Sequence, residues 1–254
     1  MSNGSPLIRF NTYATLSPTD MAALLPLVGT PRVLKKGDYL QHEGDETAGL
    51  FLLLAGWTAS SMSLPDGERQ MLKVHLAGDM IGLPSLPTRT APDTVQALTA
   101  VTVSQIRLAA FGQLFVQSPR VAALLFLISQ EERLMLMDRL TTVGRVNAVG
   151  RLAGLLLQLR GRVRRQNPAI GDTLSMPFSR RDLADLVGIT TMHLYRSMQW
   201  LVAEKLIDYH RREITLRDPS RLRELSGLPE RIWACDQDWL PQTDQGQVET
   251  GSRR

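Results

Sequence analysis

Cysteine is almost missing from this chain: of 254 residues only Cys235 carries a thiol. One thiol cannot build an internal disulfide framework, and it leaves no thiolate set for a structural zinc or an iron–sulfur cluster. Long apolar runs are missing too. No stretch reaches the roughly 18 residues that a bilayer span requires, and the opening MSNGSPLIRF lacks the apolar core of an export signal. Neither membrane insertion nor export is therefore expected, and the cytoplasm is the expected compartment. The sequence also lacks a glycine-rich phosphate loop with its lysine and any nucleophile–base constellation that stands out. No catalytic or metal-ligating set is expected, and there is no internal repeat or low-complexity tract.

What is present is 43% apolar, enough to give each of two ordinary domains a core. The net charge of +4 is unevenly spread. Eleven Lys and Arg stand against twelve Asp and Glu in residues 1–144, fifteen against eight in 145–225, and three against five in 226–254. Positive charge gathered in one segment suits a polyanionic partner, because phosphate neutralisation with counterion release supplies sequence-independent DNA affinity.

Residues 32–107 alternate β-prone runs with turn signals such as Gly37-Asp38, Ala55-Gly56, Asp66-Gly67 and Gly78-Asp79, a spacing that indicates a sandwich or barrel. Leu50 to Leu54, Met71 to Leu76 and Val95 to Ile106 are the expected strands, with Asp66-Gly67 the best hairpin turn. Ser17-Pro18 opens a short helix before them. From Ser118-Pro119 onward a long helix is expected. Val121, Leu124, Leu125, Ile128 and Met135 recur on its helical spacing and are assigned to a dimer seam. Phe126, Leu134, Leu136 and Met137 make it apolar on more than one side. Glu131, Glu132 and Arg133 interrupt that stripe, as register-setting or solvated charges. Gly144 marks the expected hinge, followed by a helix from Arg145 to about Arg164. The fold expected is α+β. Its parts are an N-terminal segment (1–18), a β-domain (19–118), a dimerisation helix (119–143), a reading domain (144–218), and a short helix with a disordered tail (219–254), in which Trp233 and Trp239 leave a docking role open.

The stretch from Ser179 to Leu201 spaces two short helices around a glycine turn, the pattern of a helix-turn-helix. Ser179 and Asp182 form a capping box, Leu183, Ala184, Leu186 and Val187 the buried face, and Gly188 ends the first helix. Thr190 caps the second, whose Leu194, Ser197, Met198 and Leu201 turn inward while Thr191, Met192, Tyr195, Arg196 and Gln199 face outward. An αα-hairpin within a helical bundle shares that spacing. Two strand-like runs, Ile207 to His210 and Glu213 to Arg217, meet at Arg211-Arg212 and add a β-hairpin wing, with Arg211, Arg212 and Arg217 suited to phosphate.

This order of elements resembles the CRP/FNR superfamily of bacterial transcription regulators over roughly residues 19–218. The residues carrying the resemblance are Lys36-Gly37-Asp38, Glu43-Gly44-Asp45, Val74 to Gly82, Gln96-Ala97-Leu98-Thr99, Val143-Gly144-Arg145 and the helix-turn-helix, and their spacing is closer to the FNR branch. The resemblance implies a cyclic-nucleotide-binding-like jelly roll, a homodimer, a near-palindromic double-stranded DNA target and RNA polymerase as a further partner. It implies base contacts from Thr191, Met192, Tyr195 and Arg196, with Thr190 and His193 near phosphates. Ser179, Arg180, Gln199, Arg211 and Arg212 complete the expected DNA-binding set. Arg196 matches guanine O6 and N7, whereas Met192 stands where most relatives use a glutamate, so the usual half-site is not carried over. An effector pocket is expected around Gly78, Asp79, Gly82, Arg89 and Thr90. Arg89 lies two residues early for the family's phosphate pair, which speaks against a cyclic nucleotide. Cysteine before Cys235 is absent, which speaks against an iron–sulfur cluster. Among His42, His75, His193 and His210, His75 is read as a packed strand histidine rather than a haem ligand, leaving the effector unknown. The competing class is a small-molecule-binding regulatory module of a larger enzyme or channel.

Overall fold

The chain begins its ordered course by burying the segment before the first helix. The structure, a computed structural model, describes residues 7–47 and 49–242. Leu7, Phe10, Tyr13 and Ala14 are all buried. Ser17 then opens α1 (Pro18–Leu24) through a capping box with Asp20, with Pro18 at the first helical position.

Eight strands follow: β1 (Pro31–Leu34), β2 (Tyr39–Gln41), β3 (Leu50–Ala55), β4 (Thr58–Ser63), β5 (Arg69–His75), β6 (Met80–Ile81), β7 (Thr94–Ala97) and β8 (Val101–Ile106). They form two four-stranded antiparallel sheets, ordered β1-β8-β3-β6 and β2-β7-β4-β5. Leu34, Leu53, Val95, Val101 and Val103 form part of the core between them. The turn at Asp66-Gly67 joins β4 to β5 as expected, with Gly67 at φ 81°. Gly56 cannot carry a side chain, since a Cβ there would meet the Ala100 carbonyl oxygen at 2.4 Å.

The run from Val95 to Ile106 is not one strand. It breaks at Leu98 to Ala100, where Thr99 Oγ1 accepts from Trp57 N at 3.0 Å, so that β7 and β8 lie in different sheets. Twelve extended residues would overrun so small a sandwich at about 3.3 Å each.

Helices α2 (Leu108–Gln117), which the spacing did not reveal, and α3 (Pro119–Arg145) follow, bent by 114° at Ser118-Pro119. Among the described residues no single helix is long and apolar enough to cross a membrane. Four of the residues assigned to a dimer seam, Val121, Leu124, Leu125 and Ile128, are at most 5% exposed within this one chain. They pack with Leu7, Phe10, Leu24, Phe111 and Leu240. Met135 is half-buried. Trp233 leaves a docking role open for the tail, but nothing local marks the N-terminal segment as the cover of this half of α3. The apolar residues left outside are Phe126, Leu136, Met137, Leu140 and Val143. Glu131 is likewise no solvated charge, being buried beneath Tyr13, whose hydroxyl donates to it at 2.9 Å.

The break between the halves falls at Val146-Asn147, not at Gly144, because α3 runs on to Arg145 and Asn147 accepts from Gly150 N to cap α4 (Ala148–Gln166). Beyond lie β9 (Thr173–Ser175), α5 (Arg180–Val187), α6 (Thr191–Ala203), β10 (Ile207–His210), β11 (Glu213–Leu216) and α7 (Pro219–Ser226). Strands β10-β11-β9 make a third small sheet.

Part of the expected disordered tail is packed. Leu240 is buried, Trp233 meets Tyr13 edge-on at 6.2 Å, Asp236 N donates to Tyr13 O at 2.8 Å, and Arg231 Nε donates to Asp138 at 3.0 Å. The remainder of that tail, 243–254, lies outside the described residues, as do 1–6 of the N-terminal segment.

Candidate nucleic-acid interface

Helices α5 and α6 are set by local chemistry. Asp182 N donates to Ser179 Oγ at 3.1 Å and Ser179 N donates back to Asp182 Oδ2 at 2.9 Å, closing the box that starts α5. Gly188 takes φ 72°, a left-handed C-cap that stops the helix and turns the chain. Thr190 then accepts from His193 N at 3.2 Å to start α6, and its hydroxyl lies 3.1 Å from His193 Nδ1. Leu183, Ala184, Leu186, Val187, Leu194, Ser197, Met198 and Leu201 are all buried. With them tucked in, Thr191, Met192, Tyr195, Arg196 and Gln199 are exposed along one side of α6, and Ser179 and Arg180 are exposed at the start of α5. The structure thus joins the sequence-predicted residues into one outward surface: a rigid helix with a guanidinium, a phenol, an amide and a thioether along it. Such a set can donate to and touch base edges.

The wing adds unmatched charge. Strands β10 and β11 pair in register from Ile207↔Leu216 to His210↔Glu213, so Arg211 and Arg212 form the whole two-residue turn. Both have positive φ, 50° and 83°. Paired positive φ is the geometry of a type I′ hairpin, usually filled by Asn-Gly, and an arginine there carries a backbone cost. Both side chains are exposed, and among the described residues neither has a salt-bridge partner. Arg217, by contrast, pairs with Asp208.

The face of α5 away from α6 rests on strand β5. Arg69 Nε reaches Asp185 at 3.3 Å and its terminal nitrogen pairs with Asp182, so Asp182 serves both the cap and this contact. Burial pushes the Asp182 carboxyl up, but the Ser179 bonds and Arg69 outweigh it and leave it below the usual range. Arg139 of α3 donates to Met71 O at 2.9 Å on one side and to Leu186 O at 2.7 Å on the other. Phe178 meets Trp57 edge-on at 5.8 Å. The reading unit and the β-domain are therefore one packed body in this chain, and Met71, Val74 and Leu76 share a core with Leu186, Leu194 and Leu201.

The five residues expected around an effector do not converge. Arg89 and Thr90 are exposed on the loop before β7. Asp79 is 1% exposed, its carboxylate taken by Arg9 at 2.7 Å, by Arg162 of α4 and by Leu76 N at 3.0 Å. Burial pushes this carboxyl up, yet Arg162 and Arg9 outweigh it and hold it well below the usual carboxylate range. Of Gly78, Asp79, Gly82, Arg89 and Thr90, only Gly82 lines the cavity between β5, α3 and α4. The reason is long-range: Arg9 and Arg162 come from opposite parts of the chain, which local spacing cannot show. Arg9 also reaches Glu132 at 2.8 Å, and Glu132 pairs with Lys73 at 2.6 Å. His75 sits beside this cluster, buried, with Nε2 2.7 Å from Ser60 Oγ. Burial pushes its pKa down to about 3, so it is neutral at pH 7 and bonded to the strand.

Comparison with known proteins covers nearly the whole chain. The family description "cyclic nucleotide-binding domain" matches residues 31–118, and "Crp-like helix-turn-helix domain" matches residues 150–225. The nitrogen fixation regulation protein FixK of Bradyrhizobium diazoefficiens is 30% identical over 217 residues, which is 85% of this chain and 90% of that protein. The transcriptional activator protein Anr of Pseudomonas protegens is 26% identical over 214 residues, 84% of this chain and 87% of that one. Among solved structures, FixK2 from Bradyrhizobium japonicum superposes with a TM-score of 0.71 at 25% identity, covering 80% of this chain and 100% of that one.

Proposed function

The chain belongs to the CRP/FNR superfamily of transcription regulators, and from that premise we propose that two copies pair along the exposed side of α3 and insert their α6 helices into successive major grooves of a near-palindromic operator. Arg196 reads guanine, Met192 contacts a thymine methyl group, Thr191, Tyr195 and Gln199 complete the base-edge surface, and Thr190 and His193 lie near the backbone. Ser179, Arg180, Arg211 and Arg212 fix the register through phosphates. The protein does no catalysis and works in the cytoplasm. Once bound it meets RNA polymerase, a reading supported by relatives named as transcriptional activators. The alternative of a regulatory module for a larger enzyme or channel does not account for the segregated charge or for the exposed side of α6.

The observation that carries this proposal is the side of α6 that stays exposed while its opposite side is buried. Selecting bound sequences from a random duplex pool, followed by footprinting, tests it. A two-fold symmetric motif with half-sites about 34–36 Å apart is expected. An asymmetric footprint, or no enrichment of any motif, would overturn it.

A further inference from the structure

A cavity of about 380 Å³ opens between β5, α3, α4 and the segment after α7. Its walls are mostly apolar, among them Leu134, Met135, Val143, Leu155, Leu157 and Leu228. A volume above about 300 Å³ behind a mostly apolar surface is typical of a small-molecule site. Six guanidiniums line it; those of Arg162, Arg165, Arg223 and Arg231 lie against carboxylates, whereas those of Arg139 and Arg151, both half-buried, do not.

These two differ from the other arginines of this interior. Arg9, Arg120, Arg162 and Arg165 each lie against a carboxylate. Arg139 donates only to the carbonyls of Met71, Leu72 and Leu186, and Arg151 only to those of Val143 at 2.7 Å, Val146 at 2.9 Å and Gly188 at 3.5 Å. Among the described residues neither has a carboxylate within ion-pair distance. These carbonyls, in β5 and near the ends of α3 and α5, use three of the five N–H groups of each guanidinium. They leave the net charge unmatched beside an apolar wall, where an uncompensated cation is costly. Burial accordingly pushes the Arg139 guanidinium down from its usual range. Both groups line the cavity and both reach the end of α5, through Leu186 and Gly188.

We propose that this cleft binds a small monocarboxylic acid, with its aliphatic or aromatic body among the leucines and its carboxylate on Arg139 and Arg151. The apolar walls favour a body that a phosphate or free sugar lacks, and the two unmatched cations favour an anion over a neutral lipid. Asp79 does not line this cavity, and Arg162, which does, is already matched by that carboxylate. Because Arg139 joins α3 to β5 and to the end of α5, an acid drawing on that guanidinium competes with Leu186 O and loosens the reading unit from the β-domain. That consequence rests on the regulator reading. The site itself does not, and its test contains no DNA.

Octanoate is the probe, titrated calorimetrically into the full chain, with octanamide as its uncharged isostere. Octanoate is expected to bind saturably at one site per chain and to raise the Tm, with octanamide at least about tenfold weaker. Arg151→Gln is expected to weaken octanoate about tenfold and leave octanamide unchanged. Gln158→Trp, which fills the cleft from α4 without touching the buried core, is expected to abolish both. Arg139→Gln strips three carbonyls of a donor and puts folding itself at risk, so Arg151 and Gln158 carry the test. No saturable binding, equal affinity for acid and amide, or binding unchanged in both variants overturns the proposal. So does binding seen only in a monomeric variant, which would mean that a second copy fills the cleft.

Discussion

Arg196 and His75 show how differently one residue can be read. Arg196 was legible in the sequence because its outward position follows from helical spacing alone, and the structure leaves it exposed. On the proposed reading, Arg196→Ala removes a bidentate contact worth about 1–3 kcal/mol of base discrimination. Binding to a selected duplex falls by that amount, while random-duplex binding, which depends on phosphates, changes little. Anisotropy titrations against both duplexes check this, and equal losses on the two would refute the assignment. His75 was legible as a packed histidine, but its partner Ser60 was not, since only strand pairing sets them together. Its pKa lies near 3 against 6.5 in the unfolded chain. As pH falls below 6.5 the unfolded chain therefore takes a proton that the folded chain refuses, and stability drops progressively toward pH 3. Asp79, held below its usual range, adds a loss of stability only once the pH falls below that range. Urea melts at pH 7 and pH 4.5 are expected to show a smaller difference for His75→Gln than for the parent chain; parallel losses would exclude His75 as the cause.

At the scale of elements, the helix-turn-helix was written locally. The box at Ser179 and Asp182, the stop at Gly188 and the cap at Thr190 each depend on residues within four positions, so α5 and α6 stand where the spacing put them. Gly188 adopts φ 72° with open space around its Cα, so Gly188→Ala meets no clash and costs only the left-handed backbone term, about 1–2 kcal/mol. A Tm lowered with unchanged reading-face geometry is the expected result, checked by calorimetry and DNA titration. No change in Tm would mean that the turn relaxes elsewhere. The elements missed were those without a local signature. Helix α2 has no side-chain cap at Arg107, and the split of β7 from β8 is a corner whose position depends on which sheet each half joins. The break lies beyond Gly144, which resembles a helix stop, because the capping side chain is that of Asn147.

For the whole molecule, α3 is the instructive case. Its apolar stripe announced a covered helix, but not what covers which side. The N-terminal half is covered from within the chain, by Leu7, Phe10 and Leu240 among others, and this displaces the proposed seam to Phe126, Met137, Leu140 and Val143. Leu140, 75% exposed, is the place to test it. Leu140→Glu puts like charges face to face in a two-fold pair without disturbing the monomer core. Sedimentation equilibrium is expected to show monomers for the variant and dimers for the parent, with operator affinity lost in step. A variant that stays dimeric would move the seam elsewhere.

The sequence by itself determined the succession of a β-domain, a long helix and a winged helix-turn-helix, together with the side of α6 that faces outward. Caps, turns and apolar periods act over a few residues, and those are written in order along the chain. Only the tertiary structure decided that Asp79 is clasped by Arg9 and Arg162, that Trp233 and Leu240 dock on the N-terminal segment, and that Arg139 and Arg151 stand unmatched in a cavity. Burial and ion pairing depend on which distant segments come together, and no local period encodes that.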